Sequence, residues 1–273
     1  MLSSLSAGVS GLENFQQEMD VIGNNIANIN TTGFKAGVVN FADSLSDTLQ
    51  GASTTTPAMQ VGTGVEISSI SNNWTQGAIT STGVSSNLAI SGNGFFEVYD
   101  PVAKAYYVTQ DGTFSVNSSG YLVTANGDNV QGYTGGTTTL GNLQVTADPT
   151  TTLTMVSYTI NSQGTITVTQ SDGTTYVSGQ VLLQDFSDPQ MLVNQGNNLY
   201  SNMAAAGPTT AALAAPGSNG LGTIQAGALE SSNVDLSNEM ANLITAQRAF
   251  EANSKIITTS NEVLQTLVQM KQS

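Results

Sequence analysis

Apolar residues near the start of the chain recur at steps of three and four: Leu2, Leu5, Val9, Leu12, Phe15, Met19, Ile22 and Ile26. That spacing places them on one stripe of an α-helix and predicts a helix over about residues 3–28. Two successive three-residue steps, from Val9 to Phe15, break a perfect heptad and predict a local shift in supercoil. Gly8, Gly11 and Gly23 each cost about 1 kcal/mol relative to alanine inside a helix. The helix is therefore weak alone, and its glycines leave room for another helix to come close. It ends in a run that includes Asn24, Asn25, Asn28, Gly33, Phe34 and Lys35. Asparagine side chains compete for backbone hydrogen bonds, and glycine adopts left-handed geometry freely, so a terminus and a sharp turn are expected here. Asn24, Asn25, Asn28 and Gly33 are the residues expected to set the bend that follows.

The other end of the chain has a second pattern. Ser232, Asn233, Val234 and Asp235 supply capping residues. Leu236, Leu243, Phe250, Ile257 and Leu264 then fall at strict seven-residue spacing, with Met240 and Leu267 beside them. A helix of ~35 residues would be about 50 Å long at 1.5 Å per residue. Gln247, Ser254 and Asn261 dilute the companion seam, so this apolar stripe is thin. A long helix with a thin stripe packs best against another helix, and the N-terminal stripe is the available partner. Glu251 and Lys255 are placed for an i,i+4 pair, worth only a few tenths of a kcal/mol.

Between the helices the period changes to two. Strands are expected near Gly64–Ser71, Leu88–Ile90, Phe95–Tyr99, Tyr106–Gln110, Phe114–Val116 and Tyr121–Thr124. Asp111-Gly112, Asn126-Gly127 and Asp172-Gly173 are turn dipeptides. The segments 114–120 and 158–164 resemble each other, which shared hairpin geometry explains better than a solenoid does. The whole pattern predicts an α+β fold: a β-rich central domain flanked by N- and C-terminal helices that pair as a coiled coil. The expected divisions are helix and turn over 1–35, linker over 36–62 and β-rich core over 63–203. A linker with a return strand over 204–228 and the second helix over 229–273 complete the chain.

Composition narrows the function. Of 273 residues, Lys and Arg total 5 against 19 Asp and Glu, a formal net charge of −14. Such a field repels phosphate backbones and anionic lipid heads, which argues against nucleic-acid and membrane-surface binding. Charged residues make up only 9% of the chain, and uncharged polar residues fill the gap. Such surfaces suit close packing of many identical copies, because little charge has to be desolvated. No apolar run approaches the ~20 residues that span a bilayer, and the first basic residue is Lys35, so no cleaved signal peptide is expected.

Catalysis is disfavoured by the residue types. The chain has no histidine and no cysteine, which removes imidazole and thiolate metal sites, Ser-His-Asp triads and thiol chemistry. The acids lack calcium-loop spacing. Ser91-Gly92-Asn93-Gly94 is glycine-rich but has no phosphate-binding lysine and precedes a strand, so it reads as a tight turn. No catalytic, cofactor-binding or metal residues are expected.

Four ordered motifs carry a family resemblance. The run from Asp20 through Asn24, Asn25 and Asn28, followed by Asn30-Thr31-Thr32-Gly33-Phe34-Lys35, resembles the N-terminal signature of bacterial flagellar rod and hook proteins. Residues 90–96, from Ile90 to Phe96, are similar to their central motif, and 229–236 and 247–253 to their C-terminal signature. The resemblance implies a non-enzymatic axial subunit that self-assembles into a helical polymer. In that polymer both termini pair as a coiled coil near a central channel. It further implies neighbouring rod, hook-cap and hook–filament junction proteins, passage through the flagellar type III export apparatus, and a place in the basal body or hook, outside the cytoplasm. Residues 41–43, 75–77 and 89–94 look most like the hook subunit. The short segment 134–152 leaves no room for an extra outer domain, and total length suits the distal rod subunit, which is the alternative. A monomeric β-domain adhesin is the reading from another class. The expected assembly interface is Leu5, Leu12, Phe15 and Ile22 from one end with Leu236, Leu243, Phe250, Ile257 and Leu264 from the other. With neither histidine nor cysteine, the melting temperature should be unmoved by a chelator. A marked drop on adding EDTA would reveal a metal site that the composition does not suggest.

Overall fold

The computed structural model describes residues 2–50, 59–135, 139–148, 150, 153–210 and 213–272. Helices α1 (Leu2–Ala27), α2 (Met203–Ala206) and α3 (Leu236–Gln272) bracket a largely β middle. The chain is a mixed α and β protein with a β-rich core and helices at both ends. It divides into two compact units. Unit 1 comprises 1–29, 36–73 and 234–273, and unit 2 comprises 30–35 and 74–233.

In unit 1, strands β1 (Gly37–Asp43), β2 (Ser46–Gln50), β3 (Met59–Gly62) and β4 (Val65–Asn72) form two antiparallel pairs, β1 with β4 and β2 with β3. Residues 36–62, expected as a linker, thus carry three strands; 51–58 lie outside the described residues. Strand β4, expected in the central core, instead pairs with β1. Strand β1 gave a weak signal because its burial alternates only between half-buried and exposed. Its partner lies about thirty residues downstream, beyond any local window.

Helices α1 and α3 run antiparallel, since Gly8 faces Ile257, Gly11 faces Asn253 and Asn25 hydrogen-bonds to Glu239. A Cβ on Gly11 would stand 2.8 Å from Asn253 Nδ2, and one on Gly8 3.3 Å from Ile257 Cγ1. Both glycines therefore do permit the close approach expected of them. Gly23 faces open space and has no such role. The other side of α1 rests on the β1–β4 pair, where the Phe15 and Phe41 rings meet at 5.7 Å between centroids, tilted by 52°, and Asn14 Nδ2 donates to the Val65 carbonyl at 2.7 Å.

Unit 2 carries the core. Its strands are β5 (Ile79–Ser81), β6 (Leu88–Ser91), β7 (Phe95–Asp100), β8 (Ala105–Thr109), β9 (Ser115–Val116), β10 (Leu122–Val123), β11 (Asn129–Thr134), β12 (Leu140–Asn142), β13 (Met155–Ile160), β14 (Thr165–Gln170), β15 (Thr175–Val181), β16 (Leu183–Gln184), β17 (Val193–Gly196), β18 (Leu199–Ser201), β19 (Thr223–Ala226) and β20 (Ala228–Glu230). The main sheet runs β13-β14-β15-β11-β7-β8-β18-β17, antiparallel throughout. Return segments β19 and β20 pair with β6 and β5, so 204–228 is only partly a linker.

Consecutive residues of a strand point to opposite faces, and β7 uses both. Phe96 is fully buried against Phe114, in a larger cluster with Leu88, Val98, Leu122 and Val130. Phe95 enters a second cluster with Val108, Phe186 and Tyr200. The two similar segments form the same turn. Asn117 Oδ1 accepts from the Ser119 and Tyr121 amides, and Asn161 Oδ1 from those of Gln163 and Thr165. The likeness is therefore one of hairpin geometry.

Burial is divided unequally. Among the described residues, the buried apolar side chains of unit 1 are Ile22, Ala36 and Ala246, and all the others belong to unit 2. Phe96→Ala should destabilise unit 2 by about 3–5 kcal/mol in urea unfolding. Val102→Ala, at a position 90% exposed, should stay within about 0.5 kcal/mol. Equal effects would mean that the cluster around Phe96 is not the core that holds this unit.

Candidate functional site

Two features stand out from the residues upward: a polar hub in unit 2 and a helix face in unit 1. The hub gathers residues far apart in sequence. Lys35 Nζ donates to Glu230 Oε1 at 2.7 Å and to the Thr75 carbonyl at 3.0 Å. The same Glu230 oxygen accepts from the Gly77 amide at 2.7 Å. The Lys35 and Glu230 side chains are only 2% and 4% exposed. The Gly33 amide donates to the Glu230 carbonyl, the Asn233 amide to the Phe34 carbonyl, and Asn233 Nδ2 to the Thr75 carbonyl. Gly33 has φ 65°, and a Cβ there would stand 2.8 Å from the Asp111 amide, so glycine is required both for conformation and for space.

Lys35 is the last residue of unit 2 before the chain enters β1, Trp74 the first after it returns, and Asn233 the last before α3. The ion pair therefore ties together, within unit 2, the segments through which the chain leaves and re-enters that unit. A cavity of about 300 Å³ adjoins the pair, lined in part by Trp74, Gln110, Asp185 and Phe186. Among the described residues no group of three or more acidic side chains could hold a metal ion. Lys35 and Glu230 neutralise each other, so the hub is suited to holding backbone segments in place rather than to proton transfer.

The asparagines expected to set the bend do different things. Asn25 is 2% exposed. Its Nδ2 donates to the Gly37 carbonyl at 2.8 Å and its Oδ1 accepts from the Gly37 amide at 2.9 Å, which is the pairing a neighbouring strand would give. The same Nδ2 reaches Glu239 Oε1 at 3.3 Å, so one side chain joins α1, β1 and α3. Burial raises the Glu239 carboxyl above the usual glutamate range; the Asn25 hydrogen bond opposes the rise and the charge of Asp235 adds to it. Asn24 is exposed, and Asn28 folds back onto its carbonyl at 2.9 Å. Phe34 is half-buried.

The seam residues separate into two groups. Ile22 is buried, and Leu5, Leu12 and Phe15 are half-buried. On α3, Leu243, Phe250 and Ile257 are half-buried and Ala246 is buried, at alternating steps that face α1. Leu236 and Leu264, the two ends of the seven-residue series, are 44% and 38% exposed. The middle of the series thus packs within one chain and its ends do not. Glu251 pairs with Arg248 at 2.8 Å, an exposed i,i+3 contact, rather than with Lys255 as expected. Lys35 and Glu230 carried no assigned role in the sequence, although each stands within a motif. Their buried chemistry shows only when residues 195 positions apart are brought together.

Removing one member of a buried ion pair costs about 3–5 kcal/mol. Lys35→Met should therefore destabilise unit 2 by that order in urea unfolding. Lys35→Met with Glu230→Met should recover part of the loss, leaving the Gly77 amide unpaired at about 1–3 kcal/mol. A single variant as stable as the parent would show that the pair does not hold the hub.

Comparison with known proteins gives consistent matches along the chain. Residues 5–35 match the family described as flagella basal body rod protein, 89–168 the flagellar hook protein FlgE/F/G D1 domain, and 225–270 the flagellar basal body rod FlgEFG protein C-terminal family. The flagellar basal-body rod protein FlgG of Bacillus subtilis (strain 168) is 40% identical over 277 residues, covering 99% of this chain and all of that protein. The protein of the same name from Caulobacter vibrioides is 35% identical over 280 residues, again covering 99% of this chain and all of the relative. The flagellar hook protein FlgE of Borreliella burgdorferi is 49% identical over 140 residues, which is 49% of this chain and 31% of the hook protein.

Proposed function

The chain belongs to the flagellar basal-body rod and hook protein family, a structural and non-enzymatic family of axial flagellar proteins, and from that premise we propose that it is the distal rod subunit of the basal body. One observation carries the choice. Relatives named for the rod align over 99% of this chain and all of their own length. The hook-named relative matches over less than a third of its own length. The expectation of a hook subunit, drawn from short motifs at 41–43, 75–77 and 89–94, carries less weight than these full-length alignments, and 89–94 falls in a domain family named for rod and hook proteins alike.

The subunit is proposed to polymerise helically and to transmit torque as a passive shaft. Its terminal helices would pair as a coiled coil near the axis, and unit 2 would give each subunit a rigid body. Rod subunits below and hook subunits above are its proposed neighbours, reached after export without a cleaved leader. What supports assembly through unit 1 is the poverty of its own core beside the exposed apolar side chains of Val38, Leu45, Ile70 and Ile244. A monomeric adhesin would leave those side chains in water and give the helix pair no purpose.

A tagged chain in purified hook–basal bodies tests the proposal. Label should appear on the rod, and deletion of the gene should leave basal bodies that stop short of a hook. Label along the hook, with intact rods in the deletion, would overturn the rod assignment within the family.

A further inference from the structure

The cavity beside the Lys35–Glu230 pair has a polar lining that is only partly used. It is about 300 Å³ in volume, and all of its lining belongs to unit 2. Gln110, one of the lining residues, is 9% exposed. Its Nε2 donates to the Gly94 carbonyl at 3.1 Å, but among the described residues no donor reaches its Oε1. The Trp74 Nε1–H in the same lining is likewise buried without an acceptor. Buried polar atoms of folded proteins nearly always have a partner, so these two mark a place where one is supplied from outside the chain.

The other polar groups of the lining show what is wanted. Lys35 is committed to Glu230 and to the Thr75 carbonyl. Gln76 is satisfied at both ends, donating to the Ile90 carbonyl at 2.6 Å and accepting from the Gly92 amide at 3.2 Å. Asp185 differs. Its described hydrogen bonds all end on its backbone carbonyl, which accepts from the Thr209 amide and hydroxyl and from Gln184 Nε2. Neither described ion pair uses its carboxylate. Two carboxylates, Asp185 and Glu230, and one ammonium, Lys35, line the cavity, so it carries one net negative charge. The aromatic side chains of Trp74, Phe95 and Phe186 line it as well, and ring faces attract cations. A water molecule can serve the Trp74 N–H, but water does not neutralise the lining. A divalent metal would need more oxygen ligands than two separated acids provide. An organic cation with several N–H donors answers both the charge and the unmet acceptors.

We propose that this cavity binds a guanidinium group carried on a short alkyl chain. The Asp185 carboxylate pairs with the group, and Gln110 Oε1 accepts one of its N–H donors after a small rotation of the amide. Guanidinium fits better than ammonium because it is planar, presents its donors as a fork and is less strongly hydrated. The net charge of −14 favours the approach of such a cation.

Trp74 is the only tryptophan in the chain, so a single indole signal reports on the cavity. Titration of the full chain with propylguanidinium chloride, at constant ionic strength, should shift the Trp74 indole N–H resonance and its fluorescence in a saturable way. Propylurea, the neutral isostere, should not. Asp185→Asn keeps the size of the side chain and should weaken binding by roughly tenfold or more. Asp172→Asn removes the same charge from the exposed β14–β15 turn and should leave binding unchanged. N-acetylarginine amide separates two sources of the group: saturation by it points to an arginine of a protein chain, and saturation by propylguanidinium alone points to a free small molecule. Either supports a guanidinium site. The absence of a saturable Trp74 response in the wild-type chain, or equal affinity for propylguanidinium and propylurea, overturns it whatever the variants do. A folded Asp185→Asn chain that binds as wild type does overturns it too.

Discussion

A helix that packs against one partner buries one stripe and leaves the rest of its surface in water. That geometry governs unit 1. Helix α1 has two partners, α3 on one side and the β1–β4 pair on the other, and it is the better buried of the two helices. Among the described elements, the main partner of α3 is α1. The remaining apolar residues of α3, Met240, Ile244, Val263 and Leu267 among them, stay exposed among the described residues. Burial of a leucine-sized side chain is worth roughly 1.5–3 kcal/mol, so such a face favours association once many copies are present. The low charge of the chain lowers the cost of bringing those copies together. In unit 2 the sheet is covered on both faces, with Phe95 and Phe96 each at the heart of a cluster. That unit does not depend on a neighbour to the same degree.

Long separations in sequence are closed by a few buried polar groups. Lys35 and Glu230 close one of 195 positions, with the Gly77 amide donating to the same Glu230 oxygen and the Thr75 carbonyl accepting from Lys35. A buried pair of this kind is weak evidence for net stability, because desolvation offsets much of the attraction. Its consequence is geometric: an ion pair with fixed hydrogen-bond partners admits one arrangement of the segments it joins. Asn25 does the same for α1, β1 and α3 by imitating a strand partner for Gly37. For a subunit that must present the same surface in every copy, such devices matter more than additional apolar area.

Local patterns made the helices and much of the core legible. The three-and-four spacing of the N-terminal stripe and the series from Leu236 to Leu264 marked both helices. Asp235 is the cap of α3, accepting from the Ser237 amide at 2.9 Å. The expected strands at 88–90, 95–99 and 106–110 correspond to β6, β7 and β8. What could not be read depends on distant partners. Strand β1 takes its register from β4, and Lys35 takes its meaning from Glu230. The seven-residue series misled in one respect, because it treated Leu236 through Leu264 as one seam. In the structure the centre of the series serves the α1 contact, and its ends remain open. The hook reading rests on short motifs, and the relatives matched over their full length carry the rod name and favour the alternative.

Hydrogen exchange, followed by mass spectrometry on the same protein before and after assembly, bears most directly on the claim that unit 1 is completed by its neighbours. In dilute solution the amides of 88–98 and 122–130 should be strongly protected and those of 236–270 should exchange fast, as expected of helices with little buried surface. In assembled rods 236–270 should become as protected as the sheet, while the sheet itself changes little. Strong protection of α3 in the dilute monomer, or no gain in protection there on assembly, would contradict the account.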